Sequence, residues 1–158
     1  MASSYPVSAL EEQSRSVEYD KMMCSKLGDS SVKEVIGDPI VLPDGTQIPL
    51  SKAIKANGFV FTSGQLAIGA NGKMIEGDIE AQTEQVLLNL AACLEAGGSS
   101  MANVVKATAW ITDASYFGGF NKAYAKAFPS APPARSTVVS GLLMPGAMVE
   151  IEAVGTVD

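Results

Sequence analysis

From Asp78 to Gly98 the chain carries an apolar stripe at helical spacing: Ile79, Val86, Leu87, Leu90, Cys93 and Leu94. Asp78 supplies a capping side chain at its start and Gly97-Gly98 stops it. A helix with one apolar face has to bury that face, and the neighbouring segments say against what. Val104–Thr112 is a run of β-branched and small residues containing Trp110, the composition of a strand. Asp113 or Ser115 then opens a second helix, in which Tyr116, Phe120, Tyr124 and Phe128 recur every four residues. An aromatic stripe at that spacing reads as core rather than as a cofactor site. Before the first helix, Ala53–Lys55 and Phe59–Ser63 flank Asn57-Gly58, a strong hairpin signal. Leu66–Ile68, Asn71-Gly72 and Met74-Ile75 suggest another turn. After the second helix Pro132-Pro133 breaks the chain, and Ser136–Ser140 and Met148–Val157 read as two more strands. The order β-β-(β)-α-β-α-β-β predicts an α+β domain of two layers, a mixed sheet with both helices on one face.

The other face of such a sheet has to meet water or a partner. Phe59 and Phe61 share one face of their strand, Val60 and Thr62 the other. Few positions on either face are charged, so a second subunit is expected to cover the uncovered side. Residues 1–45 differ from the rest, being rich in Ser, Asp and Glu with little β character. Ser8 followed by Glu11 resembles a capping box and Gly28 suits a helix end. Leu10, Val17 and Cys24 recur at heptad spacing, but three positions do not make a coiled coil. The stretch reads as a peripheral helix plus an irregular arm. Pro39, Pro43 and Asp44-Gly45 separate it from a domain over 46–158.

With 158 residues, 47% of them hydrophobic and 18% charged, the chain suits one domain with one core. No run approaches the ~20 apolar residues that span a bilayer, so no membrane partner is expected. The N-terminal segment lacks the basic-then-apolar order of a secretory signal and is too acidic for an organelle transit peptide, which makes the cytoplasm the expected compartment. The net charge is −6 and the lysines are scattered. Nucleic acid is therefore a poor candidate partner, because phosphate contacts call for a basic patch. There is no histidine, which removes Ser-His-Asp and Cys-His chemistry and the common zinc sites. Cys24 and Cys93 are too few for a closed zinc site, and Cys93 reads as a buried free thiol. Neither a metal nor a cofactor is expected, and acid–base work near neutral pH falls to carboxylates, Lys, Tyr, backbone or water.

Two arginines occur, Arg15 and Arg135. Arg135 is the sole arginine of the 46–158 domain and stands where a strand begins, just after Pro132-Pro133-Ala134. Its planar, permanently charged fork suits a carboxylate ligand, although a local acidic partner would account for it equally well. Glu150 and Glu152 interrupt the last strand on one face, while Val149, Ile151 and Ala153 take the other. They fit either an exposed edge strand guarded by charge or a carboxylate placed to activate water. Thr62-Ser63-Gly64-Gln65 ends an apolar strand. Gly64 allows close backbone approach to a ligand, and Ser63 offers a hydroxyl and an amide.

Gly58–Gln65 (GFVFTSGQ), Gly77–Leu90, Asn103–Thr108, Pro132–Val138 (PPARSTV) and Val149–Ala153 (VEIEA) together resemble the Rid family, also called YjgF or RidA, over roughly residues 46–158. The resemblance implies a chorismate-mutase-like fold and a homotrimer with sites in the clefts between subunits. It implies hydrolysis of reactive enamines or imines, such as 2-aminoacrylate, to 2-keto acids and ammonia without a metal. By position, Arg135 would grip the substrate carboxylate and Glu150 would orient or activate water. Ser63 and Gly64 would line the pocket, with Asn121 and Thr137 near it. Two positions depart from the family pattern. Leu50, in Ile48-Pro49-Leu50, stands where well-studied deaminases carry a pocket tyrosine, and Thr137 replaces a common cysteine. Leu50 leaves a more apolar wall, which points toward a larger or more apolar imine. Three alternatives remain beside the deaminase: a non-catalytic protein holding a small carboxylate, a pathway-specific enamine deaminase, and the ribonuclease activity with which some relatives are labelled.

Overall fold

The computed structural model describes residues 33–42 and 44–157. Arg15 and the helix expected after Ser8, with Leu10, Val17 and Cys24, lie outside the described residues. In chain order the elements are β1 (Glu34–Ile36), β2 (Ala53–Ala56), β3 (Phe59–Thr62), α1 (Ile79–Ala96), β4 (Val104–Ile111), α2 (Phe117–Ala127), β5 (Ala134–Val139) and β6 (Val149–Thr156).

Asn57 and Gly58 both take positive φ, 50° and 78°, the backbone of a type I′ turn. They close the expected hairpin, with Ala56 opposite Phe59 and Ala53 opposite Thr62. The second turn also forms, as Ile68 bridges Met74 around Asn71-Gly72. β1 was not expected. It pairs with β2 from within the stretch read as an irregular arm. Only Ile36 of its three residues is buried, so no alternation marks it as a strand.

Asp78 caps α1, its carboxylate accepting from the Ala81 amide at 2.9 Å. Ile79, Val86, Leu87, Leu90 and Leu94 are buried as the stripe predicts. Cys93 is not: it is half-buried at the margin of the stripe, and that burial pushes its thiol pKa up. Two polar residues take core positions instead. Thr83 returns its hydroxyl to the Ile79 carbonyl at 2.7 Å. Gln82 donates to the Gly146 carbonyl and accepts from the Met148 amide, both at 2.9 Å. It thereby pins the loop in front of β6 to α1. Asp113 caps a 3-10 turn, Ala114–Tyr116, that leads into α2. Phe120 and Tyr124 are buried along one face of that helix, and Phe128, just past its end, is buried beside them.

The sheet order is β1-β2-β3-β6-β4-β5, antiparallel throughout except for β4–β5. β3 and β4 both run antiparallel to β6, so they are parallel to each other. Each helix is thus a crossover between parallel strands, α1 from β3 to β4 and α2 from β4 to β5. Right-handed crossovers put both helices on one face, and α1 packs on β3 and β6 beside α2. Val60, Leu90, Leu94, Ile111, Phe120, Val149 and Ile151 fill the space between the layers. In β6 the expected alternation holds, with Val149, Ile151 and Ala153 buried and Glu150 and Glu152 on the opposite face. The edge-strand alternative for those acids does not hold, because β6 lies between β3 and β4. On the face away from the helices Val35, Phe59, Phe61 and Val138 are exposed.

Candidate active site

The sequence-derived residues fall into two groups. The first faces the helix layer. Arg135 pairs with Ala107 and Thr137 with Ala109, and both alanines are buried under the helices. Side chains at Arg135 and Thr137 therefore share that side of β5. The guanidinium carbon of Arg135 lies 4.4 Å from the centre of the Tyr124 ring and 4.9 Å from that of Phe120. Its Nη2 donates to Asn121 Oδ1 at 2.7 Å. Phe120 and Asn121 are adjacent on α2 and Tyr124 follows one turn later, so one short helical segment holds the arginine. Among the described residues no carboxylate pairs with Arg135; the ion pairs are Lys122–Glu80 and Lys126–Glu84. A cleft of about 420 Å³ beside it is lined by Asn121, Tyr124, Phe128, Pro132, Pro133 and Arg135. The Tyr124 hydroxyl is buried without a hydrogen-bond partner among the described residues. Burial pushes its pKa up to about 12, against the opposing pull of the Arg135 charge.

The second group gathers where β6 begins. Gln65 and Ile151 exchange backbone hydrogen bonds of 2.8 and 3.1 Å, which lays the 63–65 segment beside Glu150. A Cβ built on Gly64 would stand 1.9 Å from Glu150 Oε1, so this position has to be glycine for the carboxylate to sit as it does. The Ser63 hydroxyl donates to the Ser51 carbonyl at 2.6 Å and its amide to the Lys52 carbonyl at 2.9 Å. Both groups that Ser63 was expected to offer a ligand are engaged by the chain's own backbone, where they tie down the segment carrying Leu50. Leu50 itself is 42% exposed. Desolvation raises the Glu150 pKa above its ordinary value, and the like charge of Glu152 adds to the rise. A cleft of about 180 Å³ next to it is lined by Trp110, Ser140, Gly141, Leu142, Leu143 and Glu150.

Arg135 and Glu150 do not meet within one protomer. They lie on opposite faces of the sheet, two strands and three register positions apart, roughly 14 Å between Cα atoms from standard sheet spacings. Arg135 is accordingly not among the causes of the Glu150 shift. Two features of the site were not read from the sequence. Phe120 and Tyr124 were assigned to the core, which is correct, but helical spacing does not say that their face also meets β5. Trp110 and the 140–143 loop come beside Glu150 only through the pairing of β4 with β6 and with β5. Among the described residues no three Cys, Asp or Glu side chains converge as a metal site.

A family model described as Endoribonuclease L-PSP matches residues 45–157. The chain belongs to this family, the Rid proteins. It is 45% identical over 109 residues to Reactive Intermediate Deaminase A, chloroplastic, of Arabidopsis thaliana, covering 68% of this chain and 58% of that protein. The match thus spans less than two thirds of that relative. It is 42% identical over 107 residues to RutC family protein PH0854 of Pyrococcus horikoshii, covering 67% of this chain and 85% of that one. Among solved structures, the Rid-family protein YyfA of Yersinia pestis superposes with a TM-score of 0.71 at 39% identity, covering 80% of this chain and 100% of that one. No helix among the described residues is long and apolar enough to cross a membrane.

Proposed function

We propose that this protein hydrolyses reactive enamines and imines of the 2-aminoacrylate type to 2-keto acids and ammonia, in clefts between the subunits of a homotrimer. The observation that carries the proposal is Arg135, a guanidinium held from one side by Asn121 and two rings and paired with no described carboxylate. A rigid, unneutralised fork beside a cleft suits a substrate carboxylate. The wide separation of Glu150 from Arg135 and the exposed apolar residues of the uncovered sheet face support a site completed by a second copy.

The enamine first tautomerises to the imine, whose carboxylate Arg135 holds. Glu150 takes a proton from water as the oxygen attacks the C=N carbon and passes it to the imine nitrogen, giving the carbinolamine. Glu150 then takes the carbinolamine hydroxyl proton and returns it to the amine, which leaves as ammonia as the C=O bond forms. An imine is already electrophilic, so positioning plus one general base is sufficient apparatus. Leu50 favours one refinement: its exposed hydrocarbon, where the family pattern has a tyrosine, suits an imine with a larger apolar side chain.

The test generates 2-aminoacrylate with a dehydratase and measures keto-acid release. Arg135→Ala is expected to lower kcat/KM by roughly 10²- to 10⁴-fold through loss of two charge-assisted hydrogen bonds. Glu150→Gln is expected to lower kcat by about 10²- to 10⁴-fold. A folded Arg135→Ala variant equal to wild type on every imine tried overturns the proposal. Saturable 2-oxobutanoate binding without turnover identifies a carboxylate-binding protein instead.

A further inference from the structure

Arg135 stands on a strand that supplies no hydrogen-bond partner for its guanidinium, and an arginine side chain has several torsions to fix before it can meet a carboxylate squarely. Two groups fix them here. Asn121 takes one N–H donor at 2.7 Å, which sets the rotation of the guanidinium within its plane. The Tyr124 and Phe120 rings, 4.4 and 4.9 Å from the guanidinium carbon, lie within cation–π distance and set the plane itself. The two rings are 5.5 Å apart, and Tyr124 is backed in turn by Phe128 at 4.6 Å. The shelf is therefore part of the core and does not yield. Among the described residues the Tyr124 hydroxyl makes no hydrogen bond, so the local structure uses the ring and leaves the hydroxyl idle.

We infer that Tyr124 is a positioning residue for the reaction, acting through Arg135. Its ring, together with that of Phe120, holds the guanidinium in the one plane from which both remaining edges of the fork address a carboxylate. Bidentate pairing requires near coplanarity of fork and carboxylate, so losing the shelf weakens capture of the substrate and leaves the chemistry at Glu150 alone. The inference rests on the reading of Arg135 as the carboxylate anchor.

Three measurements on the full-length chain test it. Tyr124→Phe keeps the ring and removes the idle hydroxyl; Tyr124→Leu removes the ring, with Tyr124→Met as the second variant should Leu not fold. The expected result for Tyr124→Phe is a KM much nearer to that of wild type than to that of Tyr124→Leu. For Tyr124→Leu, KM for the imine and the dissociation constant for 2-oxobutanoate should rise roughly 5- to 30-fold, with kcat nearly unchanged. In an Arg135→Ala background Tyr124→Leu should add nothing, since the group it positions has gone. The chain has two arginines, so an ¹⁵N spectrum of arginine Nε–Hε groups resolves Arg135 with Arg15 as reference. The Arg135 proton should be ring-shifted in wild type and Tyr124→Phe, and should move toward the free-arginine position in Tyr124→Leu. An unshifted Arg135 signal in wild type, an unchanged KM in folded Tyr124→Leu, or an equal effect with and without Arg135 overturns the inference. A wild-type protein that neither deaminates nor binds 2-oxobutanoate overturns the proposed function, while the Nε–Hε shift still decides the shelf.

Discussion

Glu150 is held by the absence of a side chain at its neighbour, because its carboxylate occupies the space that any Cβ on Gly64 would take. The clash falls on the far end of a flexible side chain, so Gly64→Ala should fold with little loss of stability while turning the Glu150 carboxylate out of its present place. Activity should drop toward that of Glu150→Gln, and the double variant should be no worse than either alone; strict additivity in a kinetic double-mutant cycle would count against this. Desolvation and Glu152 raise the Glu150 pKa. A general base works deprotonated, so the acidic limb of the kcat/KM–pH profile should lie above the ordinary carboxylate range and vanish in Glu150→Gln. Where a neighbouring copy brings its Arg135 near, that cation lowers the value, so Arg135→Ala should move the limb to higher pH. A limb that shifts down in Arg135→Ala would contradict the arrangement.

Among the elements, α1 does more than cover the sheet. Through Gln82 it grips both the Gly146 carbonyl and the Met148 amide, and so sets where β6 starts and where Glu150 lands. Gln82→Leu would remove both hydrogen bonds from these part-buried backbone groups, at a cost of about 1–3 kcal/mol, read as a fall in Tm of roughly 3–10 °C. The elements that could be read from the sequence are those with local signals: Asp78 at the cap, Asn57-Gly58 at the turn, the stripes of α1 and α2, and the alternation of β6. What could not be read depends on pairing. Nothing local to Glu34–Ile36 marks it as a strand. Alternation in Val149–Thr156 says which residues share a face and not that the strand lies between β3 and β4, so it fits an edge strand equally well. Gln82 and Thr83 interrupt the α1 stripe as polar residues, although both are buried and satisfied.

For the whole molecule, the decisive geometry is the placement of Arg135 and Glu150 on opposite faces of one sheet. Arg135 stood out in the sequence as the sole arginine after residue 15 and Glu150 as an acid in an apolar strand. That they cannot serve one substrate from one chain was not legible, because it depends on the register of β4 with both β5 and β6. A site drawn from two copies makes a sharp demand on mixed assemblies. Arg135→Ala and Glu150→Gln, each strongly impaired alone, should recover roughly a quarter of wild-type activity when unfolded together and reassembled at equal amounts, since about one interface in four would pair an intact arginine with an intact glutamate. No recovery in verified mixed oligomers would place both groups in one chain's site. The sheet order also bears on how the protein is made. β6 is the latest strand of the described chain to leave the ribosome, yet it joins β3 to β4. A nascent chain that has not yet reached Val149 therefore carries two separate sheet fragments, each with an unpaired apolar edge. Such edges invite pairing with other chains, so the interval before the last strand emerges is when this protein most needs a chaperone.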